Sequence, residues 1–334
     1  MILFSHGLKA DSKLTRAVLG RNNDGCLWIW QMNVVLDMPE RGDVGSATQP
    51  RKFLIIIGAM KSGTTTLFRL LAQHPEIARP REKEPGFFSQ DERWAKGVGD
   101  YQSLWEWKPR RHKVALEATT GYTKFPFEPQ VPERMSTLTD CEFRFVYLVR
   151  DPFKRIESHI LHGLHRGWNK SLDAGFDGNS YPIEITRYAK QLDRFTAYFP
   201  KSSILVATLD ELNNQPAQLL RRVCEHAGVD PDFNFEKTDQ VANPGTRYRR
   251  AGWVNRLSES RNPVLRPVRR FARWLLGNRR VDALASAKPV QVDLGRNKLT
   301  DEERQRVLGY IGEDLKRLRS EYGVDAKALW GIDV

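Results

Sequence analysis

Lys61 is the residue around which this sequence concentrates its chemistry. It lies in residues 53–71, FLIIIGAMKSGTTTLFRLL, between Gly58 and Gly63 and just ahead of three hydroxyl residues, Thr64, Thr65 and Thr66. A β-branched apolar run, a glycine-bounded turn and a helix opening on threonines together build an anion site. The N–H groups of the turn, with the positive end of the helix, converge on phosphate-like oxygens. Gly58 and Gly63 have the spacing of a Walker A loop, but G-x-x-x-x-G-K-[ST] is not met. The lysine sits inside the loop, and Thr64 follows the second glycine. Threonines at a helix start also cap it, and one N-terminus serves both purposes.

Such a turn works only if buried strands deliver it. A second apolar run, FRFVYLV at 143–149, reads as another interior strand, with shorter ones at 113–118 and 204–207. Leu67, Leu70 and Leu71 recur at helical spacing after the loop, before His74 and Pro75. Further helices are expected over 153–164, 185–199, 215–227 and 301–322. Strands alternating with helices predict an α/β fold, a P-loop-type parallel sheet covered by helices on both faces with right-handed crossovers. Ligands of such sheets collect at the carboxyl ends of the strands. The Lys61 turn and Arg150 both follow strands, so they belong to one crevice.

The 334 residues are 40% hydrophobic, enough for one large core. Cys26, Cys141 and Cys224 share no metal-ligand spacing and read as reduced thiols. A formal charge of +12 favours acidic partners. Residues 1–50 read as an N-terminal extension and 51–334 as a single domain. That domain divides into a core at 51–228, an arginine-rich segment at 243–280 and a C-terminal helix at 300–322. Within the extension the apolar run CLWIWQMNVVL at 26–36 includes Gln31 and Asn33. It falls well short of the roughly twenty residues of a membrane span, and no clear small-residue cleavage site follows it. It is either an extra strand or a disordered lead, and a cytoplasmic location is the expectation.

The motifs in order resemble one family. KSGTT at 61–65, KEPGFF at 83–88, VPERM at 131–135 and LVRDPFKRIESH at 148–159 are followed by a helix with Tyr188, Gln191 and Leu192, which leads into SSILVATLDEL. This series, from about residue 53 to 228, resembles the sulfotransferases that use 3′-phosphoadenosine 5′-phosphosulfate (PAPS). It is most similar to the polysaccharide, heparan-type and bacterial branch. The resemblance implies PAPS as donor, 3′-phosphoadenosine 5′-phosphate (PAP) as product, no metal, and a glycan, lipid or small-molecule acceptor with a hydroxyl or amine. It implies Lys61 as the cation at the bridging oxygen of the leaving nucleotide. Ser62, Gly63, Thr64, Thr65 and Thr66 then hold the 5′-phosphate. Arg150 and Ser158, eight residues apart, match the family's 3′-phosphate pair. An arginine suits that role because it stays charged and presents a planar fork of donors; the bland alternative is an Arg150–Asp151 surface ion pair. Glu84 stands where the polysaccharide enzymes have their general base; the bland alternative is one more solvated charge beside Arg81, Glu82 and Lys83. Arg247, in NPGTRYRR, falls where a late basic loop closes over the nucleotide.

One departure stands out. Where the polysaccharide enzymes commonly read E-K-[ST]-P-x-Y-F, this chain has Glu117-Ala118-Thr119-Thr120-Gly121-Tyr122. The supporting lysine is replaced by Ala118, so its duty is vacant or falls to Lys83 or Lys124. This argues against heparan itself as the acceptor. Residues 247–280 hold eleven arginines and one acidic residue, Glu259, with Val264, Leu265, Val268, Phe271, Ala272, Leu275 and Leu276 at helical spacing. That pattern predicts a basic amphipathic helix, for an anionic membrane surface or an acidic chain substrate, or one simply packed on the domain. Two other classes share some of these features. A P-loop kinase or nucleoside triphosphatase needs the absent G-K-[ST] and a magnesium aspartate. A nucleic-acid or membrane-binding protein would use the arginines but leaves Glu84 and the Arg150–Ser158 spacing without a role.

Overall fold

The computed structural model describes residues 18–21, 27–30, 49–165, 177–236 and 298–334. Arg247 and the arginine-rich segment at 243–280 lie outside the described residues. The chain divides into two units, residues 1–45 and 46–334. In the first, β1 (Val18–Arg21) pairs antiparallel with β2 (Leu27–Trp30), Val18 opposite Trp30. The apolar run at 26–36 therefore carries a strand.

The second unit alternates strands and helices. It runs β3 (Lys52–Gly58), α1 (Thr64–Leu71), β4 (Ile77–Ala78), α2 (Asp91–Trp94), α3 (Val98–Gln102) and β5 (Val114–Ala118). Then come α4 (Val131–Ser136), β6 (Glu142–Val149), α5 (Pro152–His165), α6 (Tyr181–Glu184), α7 (Tyr188–Thr196) and β7 (Ile204–Thr208). It closes with α8 (Leu209–Asn214), α9 (Pro216–Ala227), α10 (Asp301–Tyr322) and α11 (Ala326–Trp330). The five strands pair in the order β4-β5-β3-β6-β7, every pair parallel. β4 is only two residues long, too short to leave a period in the sequence.

β3 occupies the centre because it is apolar on both faces, as an interior parallel strand must be. Phe53, Ile55 and Ile57 enter one fully buried cluster with Phe143, Phe145 and Tyr147 of β6 and with Leu315 and Leu318 of α10. Leu54 and Ile56 enter the other, with Leu67 and Leu71 of α1 and Leu220 and Val223 of α9. The period-two alternation of strand side chains divides these residues between the two helical layers. Ile56 is in register with Ala118 of β5 and Val146 of β6. The turns after β3, β5 and β6 consequently leave the sheet at one edge.

The helix expected over 185–199 is present as α7 alone, shortened to Tyr188–Thr196, and its start has a tertiary cause. Asp314, from α10, accepts the N–H groups of Ala189 (3.0 Å) and Lys190 (2.8 Å) and so sets where α7 begins. Arg317 of the same helix forks onto Asp193 at 2.9 and 2.7 Å. Burial pushes the Asp314 carboxyl up to about 6, against the pull of the two amides. A carboxyl raised in the folded state holds its proton there when the unfolded chain has lost it. Its contribution to stability therefore declines as pH rises from about 4 to 6. We expect urea midpoints of the wild type to fall relative to those of Asp314→Asn, which mimics the protonated carboxyl, over that window. A pH-independent difference between the two proteins would show that Asp314 titrates normally.

Candidate active site

The turn after β3 is held by close approaches that its sequence permits. Thr123 donates its hydroxyl to the carbonyl of Ile57 at 2.8 Å, and a Cβ on Gly58 would meet that hydroxyl at 2.1 Å. Ala59 donates to the carbonyl of Leu148 at 2.7 Å, binding the turn to β6. Gly63 has φ +89°, and a Cβ there would meet Leu209 at 2.7 Å. The Ser62 N–H turns inward to the carbonyl of Ala59 (3.2 Å). Thr66 and Leu67 donate to the carbonyl of Gly63. Helix geometry then leaves the amides of Gly63, Thr64 and Thr65 with no intrahelical acceptor. The first turn of α1 contains no acidic residue.

Two arginines hold the turn from behind. Arg150, directly after β6, donates to the carbonyl of Lys61 at 3.1 Å, and Arg155 donates to that of Met60 at 3.5 Å. Arg155 is fully buried, with the Pro182 carbonyl and the Thr186 hydroxyl as further acceptors, and burial lowers its pKa. With these carbonyls turned toward the arginines, the amides are free to face the crevice. Asp151 makes no surface pair with Arg150. It accepts the N–H groups of Phe153 (2.9 Å) and Lys154 (3.1 Å) and caps α5. In Arg-Asp-Pro the arginine fastens the loop, the aspartate starts the helix, and proline occupies the first helical position. Ser158 lies half-buried on α5, two turns beyond Arg150. Beside it the imidazole of His159 is pushed down to about 2 by burial, then by the charges of Arg155, Lys124, His162 and Lys61. Such a ring stays neutral.

Glu84 approaches from the loop before α2. Lys83 donates to Thr65 Oγ1 at 2.8 Å and to Glu84 Oε1 at 3.0 Å. Glu84 therefore stands next to the first turn of α1. Lys61 (φ 73°) and Glu84 (φ 58°) are the two non-glycine residues with positive φ among the described residues. Left-handed backbone at a side-chain-bearing residue costs energy, and such positions cluster at functional sites. Behind Glu84 the fully buried Glu117 accepts the hydroxyls of Tyr101 (2.5 Å) and Thr119 (2.7 Å). The Thr119 hydroxyl in turn accepts the N–H of Gly86, and Tyr122 accepts that of Phe88, each at 3.4 Å. Burial raises Glu117 while its hydroxyl donors, Tyr101, Tyr122 and Thr119, lower it. Glu117 thus holds the Glu84 loop through hydroxyls and is itself sealed from solvent.

Ala118, Lys124 and two nearby histidines have other surroundings. Ala118, where the lysine of the polysaccharide pattern would stand, is 1% exposed and packs in the apolar cluster with Leu67. Lys124 follows the Thr123 that ties down the turn, and its ammonium stands 6.0 Å from the ring of Tyr181. His74 accepts the Glu76 N–H at Nδ1, so its Nε2 carries the proton donated to the Asp230 carbonyl at 3.0 Å. His112 accepts the Lys108 N–H at 3.1 Å. His74 thus ties two distant backbone segments together, and His112 serves a local turn. Sequence reasoning gave no role to Arg155, Thr119, Thr123 or Tyr122. The available signal was a hydroxyl-rich stretch, 119–123, at the end of a buried strand.

A glycine-bounded turn that opens α1, a carboxylate bridged to its first turn by Lys83 and an arginine at the next strand end lie at one sheet edge. The sulfotransferase domain model matches residues 51–261, more than half of the chain. The chain belongs to the sulfotransferase family. Heparan sulfate glucosamine 3-O-sulfotransferase 3A1 of Mus musculus is 30% identical over 213 residues, 59% of this chain and 51% of that protein. Heparan sulfate glucosamine 3-O-sulfotransferase 5 of Homo sapiens is 26% identical over 190 residues, 53% of each. The chain spans about half the length of the curated relatives it matches. A sulfotransferase from Alicyclobacillus acidocaldarius superposes with a TM-score of 0.55 at 19% identity, covering 84% of this chain and 98% of that one. At that identity the likeness is one of fold.

The buried network of this sulfotransferase makes its own prediction. In Glu117→Gln an amide NH₂ replaces one acceptor among hydroxyls that need acceptors. An unsatisfied buried polar group costs about 1–3 kcal/mol. We expect a lower melting temperature and faster hydrogen exchange at the Gly86 and Phe88 amides than at those of β3. Unchanged exchange at these two amides would mean that Glu117 does not hold the loop.

Proposed function

We propose that this chain transfers a sulfuryl group from PAPS to a hydroxyl of a glycan-type acceptor, with Glu84 as general base. The observation that carries the proposal is the adjacency of Glu84 to the first turn of α1, through the Lys83 bridge. That adjacency supports a proton acceptor beside an anion site. The donor fits the residues present. The Ser62 hydroxyl, 0% exposed, has no hydrogen-bond partner among the described residues, and an orphaned buried hydroxyl is costly unless a ligand satisfies it. The amides of Gly63, Thr64 and Thr65, with the Thr65 and Thr66 hydroxyls, would hold the 5′-phosphate. Arg150 and Ser158 would take the 3′-phosphate.

The donor supplies the sulfuryl group, whose S–O bond to the 5′-phosphate breaks as the acceptor oxygen bonds to sulfur. The bonding electron pair departs on the phosphate oxygen. Glu84 receives the hydroxyl proton as that oxygen attacks. Lys61 meets the charge that grows on the leaving oxygen, and the helix amides neutralise the rest; a fixed array of donors costs no reorganisation during the reaction. The similarity to enzymes named for heparan sulfate glucosamine supports a glycan acceptor.

Binding tests the donor site. PAP should raise the melting temperature in proportion to ln(1 + [L]/Kd), and adenosine 5′-phosphate should do so far less. Equal shifts would remove Arg150 and Ser158 from a 3′-phosphate role. Kinetics tests the base: with labelled donor and a hydroxyl acceptor found by screening glycan oligosaccharides, Glu84→Gln should lose about a hundredfold or more in turnover. PAP affinity should stay near that of the wild type, and wild-type turnover by the variant would exclude Glu84.

A further inference from the structure

Lys83 occupies the gap between the two halves of the proposed site. Its ammonium is within hydrogen-bond distance of Thr65 Oγ1, in the anion turn, and of Glu84 Oε1, the proposed base. Two oxygens held by one ammonium lie within about 6 Å of each other. An in-line transfer carries the sulfuryl group from the α1 side of this gap to the Glu84 side. A cation in the gap meets the peripheral sulfuryl oxygens, which neither Lys61 at the leaving oxygen nor Glu84 at the attacking one serves.

The same residue resolves the departure at Ala118. That position is sealed into the apolar cluster beneath α1 and offers no charge. Lys83 has a half-buried side chain, 30% exposed, beside a more open Glu84 at 45%. As a mere ion pair between sequence neighbours at such exposure it would contribute about 0–1 kcal/mol. Stability alone gives no reason for its ammonium to reach Thr65 in another element. The contact with Thr65 also has a directional effect. A hydroxyl that accepts from Lys83 keeps its own O–H as a donor, so the ammonium leaves the Thr65 proton available to the anion turn.

We infer that Lys83 is a second catalytic cation of the site, neutralising the sulfuryl oxygens in transit and orienting the Thr65 hydroxyl, in place of a lysine at position 118. The inference rests on the sulfuryl-transfer reading above. Lys83 keeps its proton throughout. Glu84 alone takes the acceptor's proton, and the electron pair of the broken S–O bond leaves on the nucleotide phosphate.

The test compares Lys83→Met, which keeps the stem and removes the charge, and Lys83→Arg with the wild type. Lys96→Ala, at an exposed position, serves as control. Two readouts are needed. The first is binding by thermal shift, with PAP alone and then with inorganic sulfate added to the PAP-loaded protein at constant ionic strength. The second is turnover of labelled donor. We expect Lys83→Met to bind PAP within about twofold of the wild type, to lose the additional sulfate-dependent shift, and to lose about 10²–10³-fold in kcat, as when one oxyanion donor is removed. Lys83→Arg should retain part of both, and Lys96→Ala should match the wild type. Wild-type kcat in Lys83→Met overturns the inference. So does a parallel fall in PAP affinity and kcat, which would make Lys83 a donor anchor or a loop brace. If the wild type itself fails to bind PAP, the underlying function reading falls and the inference with it.

Discussion

The site depends on the direction in which one turn presents its backbone. A strand buried on both faces delivers the chain at Gly58, and the carbonyls that follow are tied away from the crevice. Arg150 takes that of Lys61 and Arg155 that of Met60. Every polar group at this depth needs a partner, so spending the carbonyls on arginines leaves the α1 amides as the donors facing outward. Fully buried Arg155 is tolerable because its donors find oxygen acceptors. Two cations behind the turn add their field to the helix dipole, and all three effects favour an anion.

Around this turn the protein uses neutral hydroxyls where charge would compete. Thr123 seals Ile57, Thr119 and Tyr122 receive the amides of the Glu84 loop, and Tyr188 donates to the carbonyl of Arg150 at 2.8 Å. The one carboxylate among them, Glu117, faces inward and is occupied by hydroxyl donors. Lys61 and Glu84 both adopt left-handed backbone. That cost is tolerable only where surrounding contacts over-determine the conformation, and both residues lie in segments pinned at their neighbours by such bonds.

The C-terminal helix illustrates a different constraint. α10 starts with a Thr300–Glu303 capping box legible in the sequence, and its bounds match the expected 301–322. Its docking is not local: Asp314 caps α7 and Arg317 clasps Asp193, more than a hundred residues earlier. These polar contacts fix where α7 begins, while Leu315 and Leu318 join the cluster of β3 and β6. Burial gives α10 its attachment, and the hydrogen bonds give it a register.

Local order along the chain was enough to read the glycine-bounded turn and the helix that follows it. An apolar run, Gly58, Lys61, Gly63 and the threonines of α1 are contiguous, and their backbone consequences follow from strand, turn and helix geometry without reference to the rest of the chain. The parallel sheet was legible for the same reason, because alternating strand and helix periods leave few topologies open. Long-range contacts decided other features. That Arg150 grips Lys61 and that α7 begins at Tyr188 depend on partners 89 and 125 residues distant. Which of Lys83 and Lys124 stands beside the first turn of α1 was undecidable from spacing. It took the fold to bring Lys83 against Thr65, eighteen residues away in the chain and 2.8 Å away in space. Sequence specifies which groups can bond; only packing specifies which of them meet.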